Sequence, residues 1–296
     1  MKYFILTALF FCLTLNSSNL FAQNSRIQDP TDSLKVYQVE LSDGTIFMGF
    51  ILFKDSNVLV MKTTSIPRLE IPMEKVRSCE VMEHTTLKDG AYWFGNPHAT
   101  RYLFGPSAIN LKKREKYYQN TWLFLNSFNI GITDHFSIGG SIEMISTTLS
   151  LATGNFSPTI LITPKIGYQL ADKVHAGGGV LYANILGEQS AGIAYGITTY
   201  GTYDNNITGG LGWGFINGSF SSRPIITFSG MKRVSRKLAL VSENWLIPSS
   251  SYYGIYSYGI RFFSEKMAVD LALVNNPDIA SLLKIGIPFA SYTLKF

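Results

Sequence analysis

Hydrophobic residues recur at every second position along much of the chain beyond about residue 100. In 122–132, Trp122, Phe124, Phe128, Ile130 and Ile132 share one parity, and Ser127, Asn129 and Gly131 hold the other. The same division follows in 135–145, where Phe136, Ile138, Ile142 and Met144 alternate with Ser137, Gly139, Ser141 and Glu143. It recurs in 159–170, where Ile160, Ile162, Ile166 and Tyr168 oppose Thr163, Lys165, Gly167 and Gln169. A period of two puts the two sets on opposite faces of an extended strand. Strands are predicted near 101–111, 120–132, 135–145, 158–170, 174–185, 192–203, 207–216, 224–234, 238–247, 252–263, 267–274 and 285–296. The total is twelve, or ten if the first, interrupted by Pro106, lies outside the sheet. Pro164 and Pro288 predict bulges in two others.

Connections set the frame. Tight polar turns fall at Thr133-Asp134, 171–173, 204–206, 235–237 and 264–266, with longer links at 146–157, 186–192, 217–223, 248–251 and 275–281. Short turns alternating with longer loops are the habit of membrane barrels, whose short turns lie in the periplasm.

Before this region the pattern changes. Residues 34–83 carry dense charges of both signs and predict five short strands at 35–41, 45–53, 57–63, 68–71 and 76–82. Asp43-Gly44 and Asp55-Ser56-Asn57 supply tight-turn residues. The strand lengths and the 71–75 turn resemble SH3-like or Sm-like small barrels. Six lysines and arginines against seven acidic residues make no basic face, so nucleic acid is not an expected partner.

Composition then separates a membrane barrel from a soluble sandwich. Charged residues are 15% of the chain and aromatics 14%, yet no apolar stretch beyond the N-terminus is long enough for a membrane helix. A strand-built membrane protein must close into a barrel, because an open edge would leave unsatisfied backbone groups in lipid. At the N-terminus, Lys2, the apolar run from Tyr3 to Leu15 and the small Ala22 read as a secretory signal peptide over 1–22. The expected organisation is therefore signal peptide 1–22, linker 23–33, small periplasmic β-domain 34–83, linker 84–99 and outer-membrane β-barrel 100–296.

Ionisable residues inside the strands are few, so their placement is informative. Glu143, Lys165, His175, Arg261 and Asp270 oppose the apolar set, and Glu243 joins them as a lumen charge. A Lys or Arg facing mid-bilayer lipid costs about 2–4 kcal/mol, which inward placement removes. Mixed signs favour a paired network filling the lumen, with Glu143 and Lys165 as partners on neighbouring strands; an aqueous pore is the alternative. Gly177, Gly179, Gly210, Gly212 and Gly214 leave inner space for a channel or for a large side chain.

Several motifs carry resemblances. Tyr292, Leu294 and Phe296 on one face of the last strand resemble the C-terminal signal that outer-membrane barrels present to their assembly machinery. His135-Phe136-Ser137 resembles the His-x-Ser pair of outer-membrane phospholipase A, implying a lipid hydrolase as a further alternative. The Asn-Gly that follows the family's serine is missing, and phase points the pair inward. Residues 96–102, 105–108, 117–120, 133–140 and Glu243-Asn244-Trp245 resemble a Bacteroidota-type outer-membrane barrel family to which no activity is attached. The basic cluster Lys112-Lys113-Arg114-Glu115-Lys116 is expected in the first outward loop, where lipopolysaccharide phosphates are candidate partners. The sequence thus points to a non-enzymatic envelope barrel without metal or cofactor. Its expected partners are outer-membrane lipid, the assembly machinery and, through 34–83, a periplasmic protein or cell wall.

Overall fold

The structure, a computed structural model, describes residues 35–82, 84–154, 156–249 and 252–296; the signal peptide and linker expected over 1–33 lie outside the described residues. The first unit is a sheet of β1 (Tyr37–Leu41), β2 (Ile46–Lys54), β3 (Val58–Lys62), β4 (Leu69–Pro72) and β5 (Val76–Val81), in the order β4-β3-β2-β1-β5. Its turns close as their residues dictate. Asp43 Oδ1 accepts the Thr45 N–H at 2.8 Å, and Asp55 Oδ1 accepts those of Val58 and Asn57 at 2.7 and 2.8 Å. These backbone donors hold both carboxyls below the usual carboxylate range. Val39, Leu59, Met61 and Ile71 form the core, and a 3-10 turn at Met73–Lys75 joins β4 to β5.

After the hairpin β6 (Thr86–Lys88) and β7 (Ala91–Trp93) comes the barrel wall. Its strands are β8 (Lys116–Thr121), β9 (Leu125–Gly131), β10 (Phe136–Glu143), β11 (Thr159–Ile162) with β12 (Lys165–Ala171), β13 (Val174–Ile185), β14 (Gln189–Gly201) and β15 (Asn205–Ile216). They continue with the short β16 (Ser219–Phe220), then β17 (Ile225–Ser235), β18 (Leu238–Pro248), β19 (Tyr252–Phe263), β20 (Met267–Asn275) and β21 (Ile287–Lys295). Helix α1 (Met144–Ala152) follows β10, and α2 (Pro277–Leu282) follows β20. Neighbours pair antiparallel, and β21 returns to β8 from Ser291↔Thr121 to Lys295↔Tyr117. With β11 and β12 counted as one broken strand and β16 as a spur on β15, twelve strands close the barrel.

Twelve strands were expected, but the membership differs. Segment 101–111 is not in the wall: its sole bridge joins Arg101 to Pro106 across a turn closed by Tyr102 N–H on Gly105 O at 2.9 Å. The predicted strand 120–132 is instead two strands, reversing at Trp122 and Leu123, whose φ values are 53° and 66°. Such turns ordinarily take Asn or Gly, so the sequence carried no signal there. Packing holds the bend: Trp122 Nε1 donates to Pro288 O at 2.8 Å, and its ring lies 5.4 Å from those of Phe104 and Phe289.

The prolines need no bulge. Pro164 occupies the break between β11 and β12. Pro288 shows its carbonyl to Trp122, on the side where β21 has run beyond the end of β8, so its missing N–H leaves no ladder partner unserved. One of the longer links is also shorter than expected, since β13 ends at Ile185 and β14 begins at Gln189.

Two rims follow from the register. The C-terminal rim holds the 133–134, 172–173, 202–204, 236–237 and 264–266 turns, and the distal rim holds α1 and α2. The basic cluster 112–116 lies at the C-terminal rim, against expectation. Lys113 N–H bonds Asp134, Arg114 N–H bonds Gly131 O, and Lys116 O accepts the N–H of Phe296. Once 101–111 leaves the wall, the cluster must precede the first upward strand rather than follow it.

Candidate functional site

Residues 94–111 run from the C-terminal rim into the barrel and back. They hydrogen-bond to β10, β12, β14, β15, β18 and β19, strands from all round the wall, so the segment fills the lumen as a plug. Both parities of its residues are buried, Tyr102, Leu103, Ala108 and Ile109 all at 1% exposure or less. A strand facing lipid would bury only one.

Three wall residues grip the plug, and a fourth, Asp270, holds one of them. The Glu243 carboxylate, fully buried, accepts the consecutive N–H groups of Leu103, Phe104 and Gly105 at 2.8, 2.9 and 2.8 Å, and the indole N–H of Trp245 at 2.6 Å. That is charge-assisted capture of a tight turn. Arg261 forms a two-pronged pair with Asp270 at 2.6 and 3.1 Å. Its remaining donors reach the carbonyls of His98, Arg101 and Tyr102 at 2.7, 3.2 and 2.7 Å. Asp270 also accepts Ser291 Oγ at 3.0 Å. Lys165 Nζ donates to the carbonyls of Ile109, Ser107 and Thr100 at 2.7, 3.2 and 3.3 Å. Backbone groups of a turn cannot all pair with one another, and these side chains take the place of water.

Hydroxyl contacts complete the seating. Tyr102 Oη donates to Asn206 at 2.6 Å and lies 2.7 Å from Thr208 Oγ1, which meets Thr199 at 2.6 Å; Thr199 accepts the Ala108 N–H at 2.8 Å. Beside them Met231, Ala239, Val241, Phe263 and Phe289 form an apolar core with Tyr102 and Leu103. At the mouth, Arg233 pairs with Asp204 at 3.0 Å, donates to Phe94 O at 2.6 Å and stacks over Trp93 at 5.1 Å. His98 is wholly buried with neither ring nitrogen hydrogen-bonded among the described residues.

Of the lumen residues singled out in the sequence, Lys165, Glu243, Arg261 and Asp270 converge on the plug. His175 faces inward at 7% exposure, with Nδ1 unbonded among the described residues. Glu143 stands apart. Its carboxylate caps α1, accepting the N–H groups of Ile145 and Ser146 at 2.7 and 2.8 Å, so the expected Glu143–Lys165 pair does not form. It sits at the last residue of β10, where the helix N-terminus offers free donors. The His135–Ser137 pair is also divided. His135 is exposed and stacks on Tyr168 at 4.6 Å, while Ser137 is buried and donates to Asn110 at 2.7 Å. Tyr292 and Phe296 are exposed on the outer face and flank buried Thr293.

Arg101, Tyr102 and Arg233 were missed. Arg233 follows the inward parity of Ile225, Ser229 and Met231, a signal present in the sequence. Arg101 and Tyr102 offered none, because a plug has no periodicity.

The outer wall exposes Phe128, Ile166, Leu211, Phe228, Leu240, Phe262 and Leu271, each 42–58% accessible, on strands all round the barrel, while Lys165, Arg233, Glu243, Arg261 and Asp270 lie inside and Lys232 faces out close to the C-terminal rim. A closed wall with an apolar outside and charges within is built for lipid. The fold is that of an outer-membrane β-barrel. No family model and no curated protein matches the chain. Similar solved structures are the KdgM porin in complex with disordered oligogalacturonate (8% identity, TM-score 0.42, 61% of this chain and 95% of that one) and the NanC porin (8%, 0.38, 61% and 97%). A loop-deleted OmpT, an outer membrane protein of Vibrio cholerae, also matches (11%, 0.33, 89% and 97%). These likenesses concern fold alone.

Proposed function

We propose that this outer-membrane barrel is a non-enzymatic structural and binding component of the envelope whose lumen is kept closed by its own plug. The observation that carries the proposal is the grip of Glu243, Arg261 and Lys165 on eight backbone groups of 100–109 together with His98 O. A segment held by buried charges on opposite walls resists displacement, because freeing it would strand those charges without partners. In this reading the five-stranded unit is an SH3-like periplasmic domain, supported by its strand order and 3-10 turn. Its position at the C-terminal rim supports contact with a periplasmic protein or the cell wall. Tyr92 Oη bonds Met48 O at 2.9 Å, and His84 stacks on Tyr203 at 3.8 Å. The outer apolar belt meets lipid, and the outward Tyr292, Leu294 and Phe296 are what the assembly machinery reads.

Reconstitution into planar lipid bilayers tests the closed lumen. The expected result is inserted protein without steady conductance steps; stable steps at low voltage would make it a pore.

A further inference from the structure

Three voids lie in series beside the plug. A cavity of about 560 Å³ opens at the distal rim, walled by Leu181, Ala183, Ile193, Ile216, Ile225 and Ile247. Below it, a narrower space of about 80 Å³ shares Leu181, Ile193 and Ile225 and adds Phe104, Tyr195 and Trp245. At the bottom, a void of about 30 Å³ shares Pro106 and Tyr195 with the second and is lined by Arg101, Lys165, Asn129 and Thr163. The wall therefore changes along its depth from mostly apolar to cationic.

The two cations at the base lack anions. Among the described residues neither makes an ion pair: Arg101 donates to Gln119 Oε1 at 3.3 Å, and Lys165 has carbonyls only. Asn129, 7% exposed, lines the same void, and its Nδ2 has no hydrogen-bond partner among the described residues. The Asn129 amide is thus a buried donor without an acceptor, which costs stability unless something satisfies it, and the two cations beside it carry uncompensated charge. A volume of this size holds two water-sized oxygens.

We propose that the distal chamber binds a single-chain amphiphile with an anionic head, of the long-chain carboxylate class. Its carboxylate meets Arg101, Lys165 and the Asn129 amide, and its alkyl chain extends past Trp245 into the cavity at the distal rim. A neutral apolar molecule would leave the cations unmet, and a small anion would leave the apolar chamber filled by water. Two-chain phospholipid is too broad for the narrow middle section. This inference rests on the closed-barrel reading, since an open lumen would carry such a molecule through.

The test uses the full chain in lipid nanodiscs, without detergent, titrated with an 18-carbon conjugated polyene carboxylate whose fluorescence rises on leaving water. Saturable binding above that of empty nanodiscs is expected. Affinity should rise about fourfold per added methylene across saturated competitors until the chamber is full. The methyl ester and the alkylammonium of equal length should bind at least tenfold more weakly. Ile193→Trp, which fills the chamber from the wall, should weaken binding more than tenfold, and Lys165→Met should abolish the preference for carboxylate over ester. Equal binding of all three head groups, an unaffected Ile193→Trp variant or no saturable signal would overturn the proposal. Conductance measured on the same preparation separates the two ideas. A silent barrel that binds nothing defeats only this inference, and steady conductance defeats the closed lumen.

Discussion

Arg261 and Asp270 are buried side by side, and an isolated buried pair makes a simple forecast. Either single substitution leaves an unpaired charge and costs about 3–5 kcal/mol, while replacing both is nearly neutral. This pair is not isolated. Arg261 also satisfies three plug carbonyls, whereas Asp270 has only Ser291 besides its partner. Each carbonyl stripped of its donor and kept from water costs about 1–3 kcal/mol. Arg261→Leu should therefore combine the stranded carboxylate with three orphaned acceptors, about 6 kcal/mol at the low end of both ranges. Asp270→Asn leaves Arg261 with its carbonyls and belongs at the low end of the single-charge range, about 3 kcal/mol. The double variant removes the stranded carboxylate yet still lacks the three donors, so about 3 kcal/mol remains. The assay is urea unfolding of vesicle-inserted protein, followed by tryptophan emission, with conductance of each variant read in parallel. Arg261→Leu should be the least stable and the first to conduct, and the double variant should be no worse than Asp270→Asn. Equal single losses with a double variant near the unmodified protein would refute the claim that Arg261 holds the plug.

Two further outcomes follow. A Cβ on Gly167 would stand 2.5 Å from Ala108 O and 3.3 Å from Asn110 Cβ, whereas one on outward Gly209 meets nothing within 4 Å. Gly167→Val should cost about 1–3 kcal/mol in urea unfolding and open conductance, and Gly209→Val should do neither. Glu143→Ala should cost about 1 kcal/mol as a lost helix cap, speed proteolysis of the α1 loop and leave conductance unchanged; a loss in the range of a broken buried pair would place Glu143 in the lumen network after all.

Local pattern carried most of the wall. Period-two alternation is a property of each strand alone, so 135–145 or 252–263 could be read without knowledge of neighbours, and the inward placement of Lys165, Arg261 and Asp270 followed from parity. Turns at Asp134 and Asp172 were legible because their residue types tolerate tight backbone geometry. The reversal at Trp122-Leu123 was not, because its left-handed backbone is held by Phe104, Phe289 and the Pro288 carbonyl, which are remote in sequence. Two misreadings, a plug taken for a strand and a hairpin taken for one strand, offset each other in the count of twelve.

What the sequence determined by itself was the number of faces: one apolar, one small or polar, repeated until closure was the only way to satisfy the backbone in lipid. What only the tertiary structure decided was what the inner face touches. Parity placed Lys165 inside, and the cost of a charge in lipid placed Glu243 there, but neither argument spoke to their acceptors and donors. Those turned out to be main-chain groups of 100–109, which are the same at every residue and leave no trace in side-chain chemistry. Arg261 and Asp270 belong to adjacent strands and pair across one register step, so their contact was foreseeable. The contact of Arg261 with the carbonyls of the plug exists only once the barrel has closed around it.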